Sequence, residues 1–171
     1  MEFAFSFDDF CRCLDEIVKI SDSLLDGWKL EIRQEPENGQ YMVKKITTFL
    51  AREEGDITSK KIATFEYHIV YHVNYGVPVL CFNVWNQDGT FITLEEYWAH
   101  SVDLKDDNMY ETLTQMDHPV LRRPFLTLHP CRTREIMLPF LSKSKNPVIS
   151  WLSVVGPFVH LKLHDEYLKC C

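Results

Sequence analysis

In PFLTLHPCRTREIM (Pro124 to Met137) a cysteine follows a His-Pro pair, in surroundings that would present a thiol. A thiol attacks as the thiolate. An unperturbed one titrates near pKa ~8.5, and a helix N-terminus or nearby cations favour its charged form. Pro130 lacks an amide hydrogen and should end the extended run PFLTL. Thr133 is a good N-cap for a short helix starting at Arg134-Glu135-Ile136-Met137, and Pro139 limits its length. Cys131 would then stand about two residues before a helix N-terminus, flanked by Arg132 and Arg134. The competing reading is a core thiol, because free cysteine is among the most buried residue types.

Other chemistry is less well supported. His118, His129 and Cys131 could ligate a metal, but three ligands at irregular spacing do not define a site. A Cys-His hydrolase needs its partners close in space. His129 lies too near Cys131 along the chain for a typical dyad, and no third orienting group announces itself. His68 and His72 sit on the polar face of a strand and read as solvated surface.

The elements that would carry these residues follow from periodicity. Phe3, Phe7, Phe10, Cys11, Leu14, Ile17 and Val18 recur at helical spacing, and Ser6 with Asp9 forms a capping box. An amphipathic helix over about 6–24 follows, with Gly27 as its stop. WKLEIRQ alternates as a half-buried strand, EPENGQ turns on Asn38-Gly39, and YMVKKITTFL returns. AREEGDITSKK reads as an exposed loop. In TFEYHIVYHVNY, Phe65, Tyr67, Ile69, Tyr71, Val73 and Tyr75 share one face, with Glu66, His68, His72 and Asn74 on the other. Gly76 and Pro78 break this third strand. VLCFNVW is a fourth, closed by Asp88-Gly89. Thr93 and Glu96 make a second capping box. Asn146 caps a late helix with Pro147 in its first turn, which Gly156-Pro157 ends. The result is an α+β plan: one helix, a four-stranded antiparallel meander covered on one face, then helices.

Composition bounds the partners. The chain has 171 residues, suited to one domain spanning 1–171, and its 46% hydrophobic content can fill a sizeable core. Net charge is −7, with no dense run of Lys or Arg, so nucleic acid is not the expected partner. No apolar run reaches the ~20 residues of a membrane span, and MEFAFSFDDFCRCL is too acidic for a signal peptide. A reducing cytoplasm is expected, with all six cysteines as free thiols. No CxxC pair points to structural zinc. Cys170-Cys171 lacks the prenylation form and reads as a frayed tail rather than a membrane anchor.

Four blocks in order carry a resemblance. EYHIVYHVNYGVPVLCF, DHPVLRRPF, LHPCRTREIM and NPVISWLSVVGPFV are similar to the autophagy-related protein ten family of E2-like conjugating enzymes. The likeness is strongest over about 65–98 and 117–161. It implies an E2-like core in which Cys131 takes a ubiquitin-like modifier, autophagy-related twelve, as a thioester from the E1-like autophagy-related protein seven. A lysine of the acceptor, autophagy-related protein five, would then receive it. No metal or organic cofactor is implied. Ubiquitin E2 enzymes take an oxyanion donor from the Asn of an HPN motif, whereas this chain has His118-Pro119-Val120. The resemblance therefore points to Tyr75 and His129 for that role, with Asn74 as a further candidate and His118-Pro119 as structure. The hairpin from Trp28 to Leu50 supplies a candidate edge for docking by strand addition. Competing readings are a non-catalytic E2-fold module bridging autophagy proteins, and the lipid-conjugating sister enzyme of the autophagy-related protein three type. The latter is longer and has an acidic insertion absent here.

Overall fold

The computed structural model describes residues 5–50, 61–100 and 113–171. Phe3 and nearly all of the expected loop AREEGDITSKK lie outside them. Helix α1 spans Phe7–Leu24. Its capping box forms as the sequence requires: the Asp9 amide donates to Ser6 Oγ at 3.1 Å, and the Ser6 amide to Asp9 Oδ2 at 2.9 Å. The helix ends on Leu25, left-handed at φ 55°, and not on Gly27, which lies two residues beyond. The Trp28 amide donates back to Ser21 Oγ in the last turn, which fixes where the first strand begins.

Six strands form one antiparallel sheet among the described residues, in the order β1-β2-β3-β4-β6-β5. They are β1 (Lys29–Ile32), β2 (Gln40–Leu50), β3 (Lys61–His72), β4 (Val77–Asn86), β5 (Leu113–Asp117) and β6 (Pro124–Leu128). The first four are the expected meander. PFLTL joins it as β6, with Cys81 opposite Thr127, and β5 pairs outside it. The expected β1–β2 hairpin turns over a longer loop than Asn38-Gly39 alone. Gly39 is needed there for space, since a Cβ would collide with the Arg33 carbonyl. β1 and β5 are the edge strands.

Helix α2 spans Leu94–His100 and opens on the expected Thr93–Glu96 box. A 3-10 turn, Pro130–Arg132, runs into α3 (Thr133–Met137). Helix α4 spans Pro147–Val155, with the Asn146 side chain accepting from the Ile149 amide, and Gly156–Val159 continues as a 3-10 turn. Helix α5 covers Asp165–Leu168. The end of the chain is not frayed: Tyr167 is buried, and the Cys170 carbonyl accepts from the Asn146 amide.

One sheet face packs Phe65, Tyr67, Ile69 and Phe82 against Phe10, Leu14 and Ile17 of α1 and Trp151 and Leu152 of α4. Each such buried side chain contributes about 1.5–3 kcal/mol. The opposite face is also buried over part of its area, where Val120 from the β5–β6 connection and Phe125 of β6 pack with Tyr41, Val70, Val79 and Cys81. This corrects the solvated reading of His68: the residue is buried, with Glu66, beneath that connection.

Candidate active site

Extended backbone stops at Leu128, as Pro130 requires, and the chain turns at once into the 3-10 segment that carries Cys131. His129 is the N-cap of this turn, and its Nδ1 accepts the Cys131 backbone amide at 3.2 Å. An acceptor nitrogen carries no proton, so in the neutral ring the hydrogen sits on Nε2. That atom stands 3.9 Å from Cys131 Sγ. His129 thus offers the sulfur a donor, the reverse of the base a hydrolase dyad would need. The sequence spacing that argued against a dyad does not prevent the contact.

Thr133 does not cap the short helix. It is buried and is the first residue of α3, and Arg132 stands at the N-cap without a side-chain bond. The turn and α3 run on continuously, so no open helix N-terminus faces the sulfur. Arg132 is turned toward Glu135, Nε to Oε2 at 3.9 Å.

Cys131 is exposed, which excludes the core-thiol reading. Buried thiols elsewhere are held protonated by burial: Cys13 is pushed up to about 11 and Cys81 up to about 12. All six cysteines are free. Among the described residues no group of three His, Cys, Asp or Glu side chains could hold a metal ion.

Tyr75 does not continue the apolar row of its strand. β3 ends at His72, and residues 73–76 form a tight turn in which the Gly76 amide donates to the His72 carbonyl at 2.8 Å. Gly76 takes φ 62°, a conformation that favours glycine. The turn leaves Tyr75 40% exposed, with its ring edge-on to His72 at 4.7 Å and to His129 at 6.4 Å. Tyr75, His129 and Cys131 are therefore neighbours. Asn74 is exposed in the same turn.

His72, read as solvated surface, is instead half-buried. Its Nδ1 is buried without a hydrogen-bond partner among the described residues, and burial lowers its pKa. A helical or strand period cannot show this, because it arises where the strand ends.

His118 is fully buried. Its Nδ1 accepts the Val120 and Leu121 amides, both at 3.1 Å, and so shapes the turn expected to be structural. Its Nε2–H then donates to His68 Nδ1 at 3.1 Å, and His68 Nε2–H to Glu66 Oε1 at 3.0 Å. Lys45 reaches the other carboxylate oxygen at 2.7 Å. One proton arrangement satisfies this whole chain: two neutral histidines and an ionised Glu66. The sequence clue was Glu66 and His68 two apart on one strand face. Val120, where an HPN motif would place asparagine, is buried in the second apolar cluster and offers no side-chain donor.

The described helices include none long and apolar enough to cross a membrane. Residues 9–166 match the family model "Autophagocytosis associated protein, active-site domain". The ubiquitin-like-conjugating enzyme ATG10 of Homo sapiens is 38% identical over 121 residues, covering 65% of this chain and 55% of that protein. The Arabidopsis thaliana ATG10 is 34% identical over 119 residues, 61% and 52% of the two chains. The chain spans about half the length of the curated relatives it matches. A crystal structure of the autophagic E2 Atg10 superposes with a TM-score of 0.60 at 12% identity, over 94% of this chain and all of that one. This likeness places the antiparallel sheet and its helices in the E2-like fold. With an active-site domain model matched over nearly its whole length, and ATG10 proteins as relatives, this chain belongs to the autophagocytosis-associated family, in its autophagy-related protein ten branch.

Proposed function

We propose that this chain is a single-domain, cytoplasmic E2-like conjugating enzyme of autophagy, with Cys131 as its acyl carrier. The thiolate attacks the E1-bound thioester of a ubiquitin-like modifier. A new carbon–sulfur bond forms on Cys131 as the bond to the E1 cysteine breaks. An acceptor lysine, neutral at the moment of attack, then forms an amide and expels the Cys131 thiolate, while the proton lost by nitrogen passes to solvent or a nearby base. Autophagy-related protein seven is the E1-like donor, autophagy-related twelve the modifier and autophagy-related protein five the acceptor in this reading.

The observation that carries it is the exposed Cys131 with His129 Nε2–H at 3.9 Å, inside the matched active-site domain. Aminolysis of a thioester builds negative charge on the carbonyl oxygen, and a prepositioned donor stabilises it. His129 is the donor in this reading, and Tyr75 a wall that desolvates the incoming lysine. Asn74, exposed beside Tyr75, is the weaker candidate. A charging assay tests this. The chain is mixed with the E1-like enzyme, the modifier and ATP and run on a non-reducing gel beside Cys131→Ser. A thiol-sensitive adduct that becomes thiol-resistant in the serine variant is expected. No adduct, with a competent control E2 in parallel, would leave the chain a binding module.

A further inference from the structure

The second face of the sheet is covered only in part, and beside the β5–β6 connection it opens as a cavity of about 800 Å³. Register explains what lies there. Lys29 pairs with Val43, Val43 with His68 and Lys45 with Glu66, so these side chains share one face across three strands. Lys29, Glu31 and Arg33 line one side, along the edge strand β1 and just past its end. Arg123, from the β5–β6 connection, lines it as well. Four cations thus meet two carboxylates in one concavity, although the chain as a whole carries −7. The fold gathers them from positions 29, 33, 45 and 123, which form no run in the sequence. Their charges are not cancelled in place. Glu66 is taken by His68 Nε2–H at 3.0 Å and by Lys45 at 2.7 Å. Among the described residues Lys29, Arg33 and Arg123 have no carboxylate within ion-pair distance, not even Glu31. Arg123 stands over the Phe125 ring, 5.4 Å from its centroid, a contact that holds a guanidinium without neutralising it. The connection that carries Arg123 is fixed in turn by His118, whose Nδ1 accepts the Val120 and Leu121 amides. The result is a preformed concavity with a surplus of positive charge, which a multivalent anion would relieve.

We infer that this cavity is a binding site for a polyphosphorylated anion, with Arg33 and Arg123 taking phosphate oxygens and Lys29 adding a third contact. Guanidinium forks match phosphate oxygens bidentately, and a cavity of this size takes an anion larger than a single phosphate. An extended acidic peptide fits less well. Along β1 the cations alternate with Glu31, so a segment laid on that strand would meet a like charge. A compact anion seated between β1 and the β5–β6 connection meets cations from two parts of the chain. A soluble inositol phosphate and the headgroup of a phosphoinositide lipid present the same chemistry. Nothing in this inference needs Cys131 or its thioester.

Calorimetric titration of the full chain with inositol hexakisphosphate, at about 0.15 M salt, tests it. Binding is expected. Arg33→Glu and Arg123→Glu should each weaken it at least about 10-fold, as for the loss of a charge-assisted contact. Both side chains are exposed, and urea midpoints check that the variants fold. If Arg123→Glu disturbs the β5–β6 connection, Arg33→Glu, just past the edge strand, still decides. Lys19→Glu, an exposed change on α1, alters the net charge equally and should leave binding unchanged. Vesicles of phosphatidylcholine with and without phosphatidylinositol bisphosphate then identify the source. Sedimentation with the phosphoinositide vesicles alone, lost in Arg33→Glu, assigns a lipid headgroup. Binding of the soluble anion without sedimentation assigns a free ligand. No binding of inositol hexakisphosphate, equal weakening by Lys19→Glu, or tighter binding of a poly-glutamate peptide would each overturn the site. None of those results would touch the charging of Cys131, which is read separately.

Discussion

His129 grips Cys131 twice, through the Cys131 amide at Nδ1 and toward its sulfur at Nε2. The two contacts have different consequences and can be separated by substitution. Asparagine keeps a short acceptor for the amide but cannot reach the sulfur as the Nε2–H does. His129→Asn should therefore retain wild-type stability and lose about 100-fold in transfer rate, the usual cost of removing one oxyanion donor. His129→Ala should lose the rate and also about 1 kcal/mol of stability with the cap. Single-turnover discharge to lysine, beside urea midpoints, checks both. Wild-type rates in His129→Asn would reduce His129 to loop shape.

Cys131 touches no core cluster, so its removal should be silent in stability and absolute in chemistry. Cys131→Ala should show an unfolding midpoint within about 0.5 kcal/mol of wild type, as for most surface changes, and form no adduct with modifier. Brief alkylation of the folded wild-type chain should label Cys131 ahead of Cys13 and Cys81, whose thiols burial keeps protonated. Mass spectrometry reads the order. Rapid labelling of Cys81 would contradict the packing around it.

Tyr75 is placed by a turn rather than by its strand, and its ring stands between His72 and His129. Tyr75→Ala should slow discharge to lysine more than it slows charging, because only discharge needs a desolvated amine. Tyr75→Phe keeps the ring and isolates the hydroxyl. Equal slowing of both steps in Tyr75→Ala would remove the specific role.

What the sequence made legible was local. The Ser6, Thr93 and Asn146 caps lie where side-chain chemistry demands them, and four strands follow from alternation closed by turn residues. What it hid was relational. Alternation along β3 correctly separates Tyr67 from His68 but cannot say that the second face is covered, because the cover comes from residues 118–125, some fifty residues downstream. The spacing of Tyr75 continues the apolar row of the strand. The turn at Gly76 takes it out of the row and toward Cys131. LTQMD is too short to signal a strand by itself and becomes β5 through its pairing with β6.

The buried chain from His118 through His68 to Glu66 makes stability depend on pH. Burial, with His68 and Arg123 nearby, depresses His118 to about 3, below its unfolded value of ~6.5. Between those values the unfolded chain binds a proton that the folded chain does not, so stability falls as pH drops from about 6.5 toward 3, by at most ~1.4 kcal/mol per unit from this group. Glu66, held down to about 2 by His68 and Lys45, adds loss in the same direction below its unfolded pKa. Urea midpoints from pH 7 to 4 should fall steadily. His118→Gln should lower stability at pH 7 by about 1–3 kcal/mol, by breaking a buried chain, and flatten that slope. A wild-type slope in the variant would exclude His118 as its source.

Asn146 caps α4, and by capping preference alone aspartate would serve equally well. Its other side-chain atom says otherwise. Nδ2 donates to the Cys13 carbonyl and to Glu16 Oε2, both at 3.0 Å, tying the start of α4 to α1 from a fully buried position. Asn146→Asp keeps the acceptor for the Ile149 amide but turns a lone pair and a negative charge toward a carbonyl and a carboxylate. Asn146→Ala merely removes both bonds. The aspartate variant should therefore be destabilised at least as much as alanine at pH 7, by about 2 kcal/mol or more, since a buried charge without a partner is the costlier error. Thermal and urea unfolding of the three chains decides between the two accounts. Wild-type stability in Asn146→Asp would mean that the cap, and not the tie to α1, is what this buried asparagine contributes.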